Sequence, residues 1–249
     1  MVGSALYLLQ EKLLFLPETL PQDYTYELAY EYDEYFLDTP NEGVINALYI
    51  KANNPKGAIL YFHGNAGNLM RWSEIVEYFV AMDYDVYVMD YRTYGKSKGA
   101  LSEYALYSDA QVCYDHLKQF WDEKNIIVYG RSLGSAMATK MASLNNPKRL
   151  ILESPFYNIA DVAKKRFPIF PINGLLKYKL PNNEHIKNVK CSTSIIHGTS
   201  DYVVPFNSGE KLFKVSPKDK TTFTVIENGG HNNLNEFKKF HAIIKEILQ

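Results

Sequence analysis

The sequence predicts an α/β fold: a mostly parallel twisted sheet, helices on both faces and antiparallel strands at its N-terminal edge. Three observations support this prediction. After Pro55, short apolar runs alternate with helix-length amphipathic segments, as in parallel sheets. Before Pro55 the pattern is strand, turn, strand. Residues 157–190 interrupt the later alternation, which indicates an insertion.

The composition is that of an ordinary globular chain. Of 249 residues, 46% are hydrophobic and 22% are charged, which argues against disorder and coiled coils. The net charge of −1 gives no general attraction to nucleic acid, so no nucleic-acid partner is expected. We find no internal repeat and no low-complexity linker, and therefore predict a single domain over residues 1–249.

Residues 1–20 are expected to form an N-terminal helix or the stub of an anchor. Four leucines fall at helical spacing on one face: Leu6, Leu9, Leu13 and Leu16. The stretch is too short to span a bilayer and lacks the features of a secretory signal. It could be a helix docked on the domain, an interfacial helix, or the remnant of a longer anchor that was removed. We therefore expect a cytoplasmic or peripheral membrane protein.

The next elements are the antiparallel strands. Residues 24–32 alternate between apolar and polar side chains, which predicts a strand with one wet face. The alternation breaks at Glu34 and Tyr35, where we expect a bulge or turn. A turn at residues 39–43 then leads into a strand at residues 44–50.

The alternating region has six apolar runs that predict strands. They lie at residues 58–62, 85–89, 126–129, 150–152, 194–196 and 222–226. Among the helix-length segments between them is 102–120, with Ser102 as its N-cap. The insertion at 157–190 contains Pro168 and Pro171, which forbid a regular helix through it, and its seven basic and two acidic residues give it a charge of +5.

Ser132 is the candidate nucleophile. It lies in the G-x-S-x-G pattern of Gly130 to Gly134, between the strand at 126–129 and the small-residue helical stretch at 135–143. This strand, turn and helix context is the one that a nucleophile elbow requires, and the glycines leave room for the strained turn.

A serine hydroxyl needs a base, and the base needs an orienting acid. Asp201 follows one strand end and His231 follows the last strand, so the chain order is Ser, Asp, His. We expect His231 to accept the serine proton and Asp201 to orient the imidazole ring. Glu153, which also follows a strand end, is the rival acid. The remaining histidines compete less well as the base.

Two backbone N–H groups are needed to stabilise an oxyanion. One should be that of Leu133, the residue after the nucleophile. The other should come from the loop that follows the strand at 58–62, and Asn65 is the candidate. The same loop is also a tight strand-to-helix turn, and both interpretations can hold together.

Five segments together resemble the α/β-hydrolase superfamily, and more narrowly the branch with the bud-emergence-type hydrolases and the protein depalmitoylases. They are residues 63–68, 90–97, 130–134, 153–156 and 197–201. Residues 11–18 are similar to the segment that follows a membrane anchor in that branch. The resemblance implies a serine hydrolase with Ser132, Asp201 and His231 as its triad, and a small cap at 157–190. Ser135 departs from the branch, which usually has glycine there.

The leading hypothesis is hydrolysis of an acyl ester or thioester, either a small molecule or a lipidated substrate. Apolar cap residues would suit an acyl chain: Phe167, Ile169, Phe170, Leu175 and Leu176. The basic cap and the N-terminal helix would favour an anionic lipid surface. The alternatives are an amidase or peptidase with the same triad and a non-catalytic binding module. No metal-ligand or nucleotide pattern is visible, so no metal or cofactor is expected.

Overall fold

The structure, a computed structural model, describes residues 10–166 and 176–249. Its centre is an eight-stranded sheet of order β10-β9-β8-β7-β4-β6-β3-β2, and β1 pairs with β5 beside it. The strands are β1 (Leu16–Pro17), β2 (Tyr32–Thr39), β3 (Gly43–Ile50), β4 (Ala58–Phe62), β5 (Ala66–Gly67), β6 (Asp85–Met89), β7 (Ile126–Arg131), β8 (Arg149–Glu153), β9 (Ser192–Gly198) and β10 (Thr221–Ile226).

The strand directions confirm the predicted architecture. Every neighbouring pair from β10 through β6 is parallel, and β3 runs antiparallel to both of its neighbours, β6 and β2. All six predicted strands of the parallel region are present. Since the carboxyl ends of parallel strands meet at one edge, the loops after β4, β7, β9 and β10 lie on the same side of the sheet.

Helices cover both faces, as predicted. They are α1 (residues 10–14), α2 (Leu69–Val80), α3 (Glu103–Leu117), α4 (Gly134–Leu144), α5 (Ile159–Arg166), α6 (Asn182–His185), α7 (Phe206–Val215) and α8 (Lys238–Ile247). One core cluster joins the sheet to α3 and α4, the other to α2 and α8. Ser102 caps α3 by accepting a hydrogen bond from the Ala105 N–H. Within the two described ranges, no helix has the length and apolar character needed to cross a membrane.

The predicted strand at residues 24–32 is wrong. The first strand of the main sheet is β2, which begins at Tyr32 and runs through Glu34 and Tyr35, where a break was expected. Residues 24–31 are irregular instead. Tyr26 is buried and donates a hydrogen bond to Asn46 Oδ1 at 2.8 Å. The alternation thus reflects tyrosines that pack on the core, not a ladder of backbone hydrogen bonds.

The buried guanidinium of Arg92 ties several elements together. Its Nε and Nη2 donate to the two carboxylate oxygens of Asp109 in α3, each at 2.8 Å. Nη2 also donates to Thr39 Oγ1 at 3.0 Å and to the Pro40 carbonyl. The side chain therefore joins the loop after β6 to α3 and to the turn between β2 and β3.

We expect Arg92→Met to lower the free energy of unfolding by about 3–5 kcal/mol, because Asp109 would stay buried without its cation. Urea denaturation measures this loss. The double variant Arg92→Met with Asp109→Leu removes both charges and should recover part of the stability. A single variant as stable as the wild type would show that the pair does not hold these elements together.

Candidate active site

Ser132 lies in a strained turn between β7 and α4. Its φ is 52°, a left-handed value that is unfavourable for a residue other than glycine. A Cβ on Gly130 would lie 2.5 Å from that of Ala138, and one on Gly134 would collide with the Phe62 carbonyl. The two glycines of the sequence pattern are thus required by close packing of the helix on the sheet.

The structure brings Ser132, His231 and Asp201 into one hydrogen-bonded chain. His231 Nε2 lies 2.9 Å from Ser132 Oγ, and His231 Nδ1 lies 2.7 Å from Asp201 Oδ2. With the proton assigned to Nδ1, the ring donates to the carboxylate and Nε2 can accept the serine proton. The three side chains follow β7, β9 and β10, so the parallel sheet places them at one edge.

The loops that carry Asp201 and His231 support each other. The Ser200 N–H donates to the Gly229 carbonyl at 2.9 Å. A side chain on Gly198 would collide with that carbonyl, so glycine allows the loops to meet. The Gly230 N–H donates to Asn233 Oδ1 at 2.8 Å, which closes the turn around His231.

The Asp201 carboxylate is buried and held from several sides. Its Oδ1 accepts hydrogen bonds from the Val203 and Val204 N–H groups at 2.9 and 2.8 Å. His197 Nε2 lies 3.3 Å from Oδ2 and 2.9 Å from the Val204 carbonyl oxygen. Burial raises the pKa of the Asp201 carboxyl, but the hydrogen bonds and charges of His197 and His231 outweigh burial and hold that pKa below its ordinary value.

Asp201 should therefore stay ionised when the pH falls through the ordinary aspartate pKa. Because its pKa is lower in the folded chain than in the unfolded chain, its ionised form stabilises the fold at neutral pH. That contribution is lost as the pH falls below the ordinary value toward the folded one. Carbon-13 NMR of labelled aspartates would follow this carboxyl. A pKa for Asp201 at or above the ordinary aspartate value would contradict the hydrogen bonding seen around this carboxylate.

The rival acid Glu153 is engaged elsewhere. Its Oε2 accepts a hydrogen bond from the Tyr129 hydroxyl at 2.6 Å, and its Oε1 lies 3.2 Å from Arg131 Nε. The negative charge of Glu153 raises the pKa of Arg131, so the guanidinium stays protonated. Arg131 Nη2 in turn donates to the His231 carbonyl at 3.4 Å. The carboxylate of Glu153 therefore contacts Tyr129 and Arg131 rather than the His231 ring.

Asn65 is fixed by residues far away in the sequence. Its carbonyl accepts hydrogen bonds from the Leu16 N–H at 2.9 Å and the Tyr94 hydroxyl at 2.8 Å. Its side-chain amide donates to the Leu14 carbonyl at 3.3 Å. The described part of the N-terminal segment, residues 10–20, is therefore docked on the loop. Sequence reasoning missed these contacts, which no local pattern signals.

The backbone N–H groups of Asn65 and Leu133 are available as donors. Within residues 10–166 and 176–249, neither group donates to another protein atom. Leu133 follows Ser132 directly, and Asn65 lines the same cleft as Ser132. The two donors predicted from the sequence are thus free to bind a ligand oxygen near the serine.

Ser132 opens into a cleft of about 520 Å³, a volume suited to a small organic ligand. The docked N-terminal segment supplies part of the wall. The lining residues are Lys12, Leu13, Leu16, Gly64, Asn65, Ala66, Arg71, Trp72, Arg131, Ser132, Val203, His231 and Asn232. Leu13 and Leu16 are each 50% exposed, so this wall presents apolar surface at the mouth of the cleft.

Of the five predicted cap residues, four lie outside the described residues: Phe167, Ile169, Phe170 and Leu175. Leu176 is half-buried against the core cluster that contains α3 and α4. It lines a separate cavity with residues of α5 and α6, not the cleft of Ser132.

A buried pair that sequence reasoning did not single out lies at the ends of β4 and β6. His63 Nε2 is 3.2 Å from Asp90 Oδ1, and both side chains are fully buried. Burial raises the pKa of Asp90, although the contact with His63 opposes it. Both residues belong to segments that carried the family resemblance. In the described ranges, no cluster of three or more His, Cys, Asp or Glu side chains could hold a metal ion.

The chain is similar in sequence and fold to several known proteins. The sequence profile described as serine aminopeptidase S33 matches residues 53–184. An uncharacterized protein of Acanthamoeba polyphaga mimivirus is 29% identical over 220 residues, covering 80% of this chain and 74% of the viral one. A lysophosphatidylserine lipase of Danio rerio, ABHD12, is 32% identical over 187 residues. That match covers 66% of this chain and about half of the lipase, 48%.

Among solved structures, the Pyrococcus furiosus esterase Pf2001 superposes with a TM-score of 0.75. The match covers 94% of this chain and 98% of the esterase at 18% identity. At that identity the likeness concerns the fold, which is the α/β-hydrolase fold expected from the resemblance.

Proposed function

Because the chain belongs to the serine aminopeptidase S33 family of the α/β-hydrolase superfamily, we propose that it hydrolyses acyl esters or thioesters through an acyl-enzyme on Ser132. The observation that carries this proposal is His231, which joins Ser132 Oγ at 2.9 Å to Asp201 at 2.7 Å. The proposed nucleophile, base and orienting acid are therefore linked by hydrogen bonds.

In the proposed mechanism, Ser132 Oγ attacks the substrate carbonyl carbon while His231 Nε2 takes its proton. The Asn65 and Leu133 N–H groups donate to the oxyanion of the tetrahedral intermediate. His231 then gives the proton to the leaving alcohol or thiol, and the carbonyl re-forms as an ester of Ser132. Water attacks this ester, again with His231 as base, and releases the acid and Ser132.

The apolar lining of the cleft favours an acyl substrate. Exposed Leu13 and Leu16 line it from the N-terminal segment, and Val203 lines it from the loop of Asp201. These side chains offer apolar contact to an acyl chain close to the serine. The relative named as a lipase and the structural neighbour named as an esterase agree with ester substrates. The proposed substrate is therefore a small-molecule ester or thioester, or a lipidated molecule.

The exposed leucines also favour contact with a lipid surface, alongside basic residues of the cap. We propose that the mouth of the cleft can approach a membrane surface. Sedimentation with liposomes tests this: binding should increase with the content of anionic lipid. Equal recovery in the pellet with and without anionic lipid would rule out a charge-dependent membrane contact.

An amidase is the second candidate, because the matched family is described as an aminopeptidase. Three octanoyl substrates that differ only in the leaving atom, an ester, a thioester and an amide, separate the candidates. We expect the ester and the thioester to be hydrolysed much faster than the amide. Faster amide cleavage would favour the peptidase, and no cleavage of any substrate would favour a binding module.

A further inference from the structure

The cleft of Ser132 has a one-sided charge. Three cationic side chains line it, Lys12, Arg71 and Arg131, and none of its described lining residues is acidic. Glu153 neutralises Arg131 from behind the cleft wall. None of the ion pairs found within residues 10–166 and 176–249 includes Lys12 or Arg71. Two positive charges in the wall are thus left unbalanced by the protein.

Arg71 packs against Trp72, next to the loop that carries Asn65. It lies in the first turn of α2, and its guanidinium carbon is 5.4 Å from the centre of the Trp72 ring. The Trp72 Nε1–H donates to the Ala66 carbonyl at 2.7 Å, which fixes the indole against the loop that carries Asn65. Arg71 therefore stands beside the proposed oxyanion donor on a structured surface.

Lys12 reaches the same cleft from the N-terminal segment. That segment is held on the loop by the hydrogen bond from the Leu16 N–H to the Asn65 carbonyl. Lys12 is followed by Leu13, which lines the cleft as well. The N-terminal segment thus contributes both a cation and apolar surface to the substrate-binding wall.

We propose that Arg71 and Lys12 form an anion subsite, so that the preferred substrate is an acyl ester that also carries a phosphate or carboxylate group. This inference rests on the proposed function. A guanidinium binds either anion through paired hydrogen bonds, and a second cation nearby strengthens the attraction. A cleft of this volume can hold the anion and the scissile carbonyl of one ligand together.

The apolar wall completes this description of the substrate. Leu13, Leu16 and Val203 line the cleft together with the two cations, so an amphiphilic ester satisfies both kinds of surface. A neutral ester would occupy the apolar wall and leave the cations to solvent. A charge-assisted hydrogen bond contributes about 1.5–3 kcal/mol, which corresponds to about tenfold or more in kcat/KM.

The test compares two octanoyl esters below their critical micelle concentrations, one of 3-hydroxypropyl phosphate and one of 3-methoxypropanol. For the wild type we expect kcat/KM to be about tenfold or more higher for the phosphate ester. Arg71→Gln should lower this ratio, the double variant Arg71→Gln with Lys12→Gln should reduce it to about one, and Arg71→Lys should retain part of it. The control Lys239→Gln removes one exposed cation from α8 and should leave the ratio unchanged.

Equal kcat/KM for the two esters in the wild type, with turnover that still requires Ser132, would overturn the anion subsite and leave the proposed function standing. The subsite would be overturned as well if Arg71→Gln and Lys239→Gln changed the ratio equally. Hydrolysis of neither ester would remove both proposals.

A second experiment separates a membrane lipid from a free phosphate ester as the substrate. Palmitoyl esters of the same two alcohols are offered in neutral vesicles, and kcat/KM for the palmitoyl phosphate ester is compared with that for the dissolved octanoyl phosphate ester. The substrate that gives the higher kcat/KM identifies the source of the anion. A preference that appears only in anionic vesicles would assign the charge effect to the surface and overturn the subsite.

Discussion

Ser132→Ala is expected to lower kcat for ester hydrolysis by about 10⁴- to 10⁶-fold, because it removes the hydroxyl that lies 2.9 Å from His231 Nε2 and is proposed to form the acyl-enzyme. Alanine has the same backbone preferences as serine at φ 52°, so the turn should keep its shape. Steady-state kinetics with a short-chain ester measures the loss, and circular dichroism and thermal melting test whether the fold is retained.

Ser143→Ala is the matched control. Ser143 lies in the same helix, α4, but its hydroxyl donates to the Lys140 carbonyl within that helix. The substitution should leave kcat essentially unchanged. If Ser132→Ala kept kcat within about tenfold of the wild type, acyl transfer to this serine would no longer explain the activity.

Asp201→Asn is expected to lower kcat by about 10⁴-fold. The asparagine oxygen can still accept the Val203 and Val204 N–H groups, so its amide nitrogen would face His231 Nδ1. Two donors would then oppose each other unless the imidazole proton moved to Nε2. In that tautomer the ring cannot accept the serine proton. The same kinetic assay at saturating substrate measures this loss.

Glu153→Gln is the comparison that decides between the two acids. Glutamine can keep the contact with Tyr129 but loses the ion pair with Arg131. We expect a lower melting temperature and a much smaller loss of kcat than with Asp201→Asn. A loss of kcat as large as that of Asp201→Asn would mean that Glu153, and not Asp201, supports the histidine.

The parallel strands could be predicted because they are buried on both faces and appear as short apolar runs. Their ends could not be predicted as well. β7 continues to Arg131 and β9 spans Ser192–Gly198, since the backbone groups of polar and glycine residues at a strand end can also join the hydrogen-bonded ladder. The order of Ser132, Asp201 and His231 along the chain was sufficient to predict that these three residues would meet.

Contacts between distant segments could not be predicted. Tyr26 appeared to belong to a strand, but a hydrogen bond to Asn46 and burial in the core determine its position. Nothing near Asn65 in the sequence indicates that Leu16 and Tyr94 will bind its carbonyl. The contacts that engage Glu153, with Tyr129 and Arg131, could not be predicted either, because only the folded sheet defines the positions of these residues.

Labelling with a fluorophosphonate probe, followed by mass spectrometry of the digested protein, tests the central claim most directly. The probe forms a stable adduct only with an activated serine. We predict one adduct, on the peptide that contains Ser132, in the wild type and none in Ser132→Ala. An adduct that persists in Ser132→Ala, or that maps to another residue in the wild type, would contradict the account.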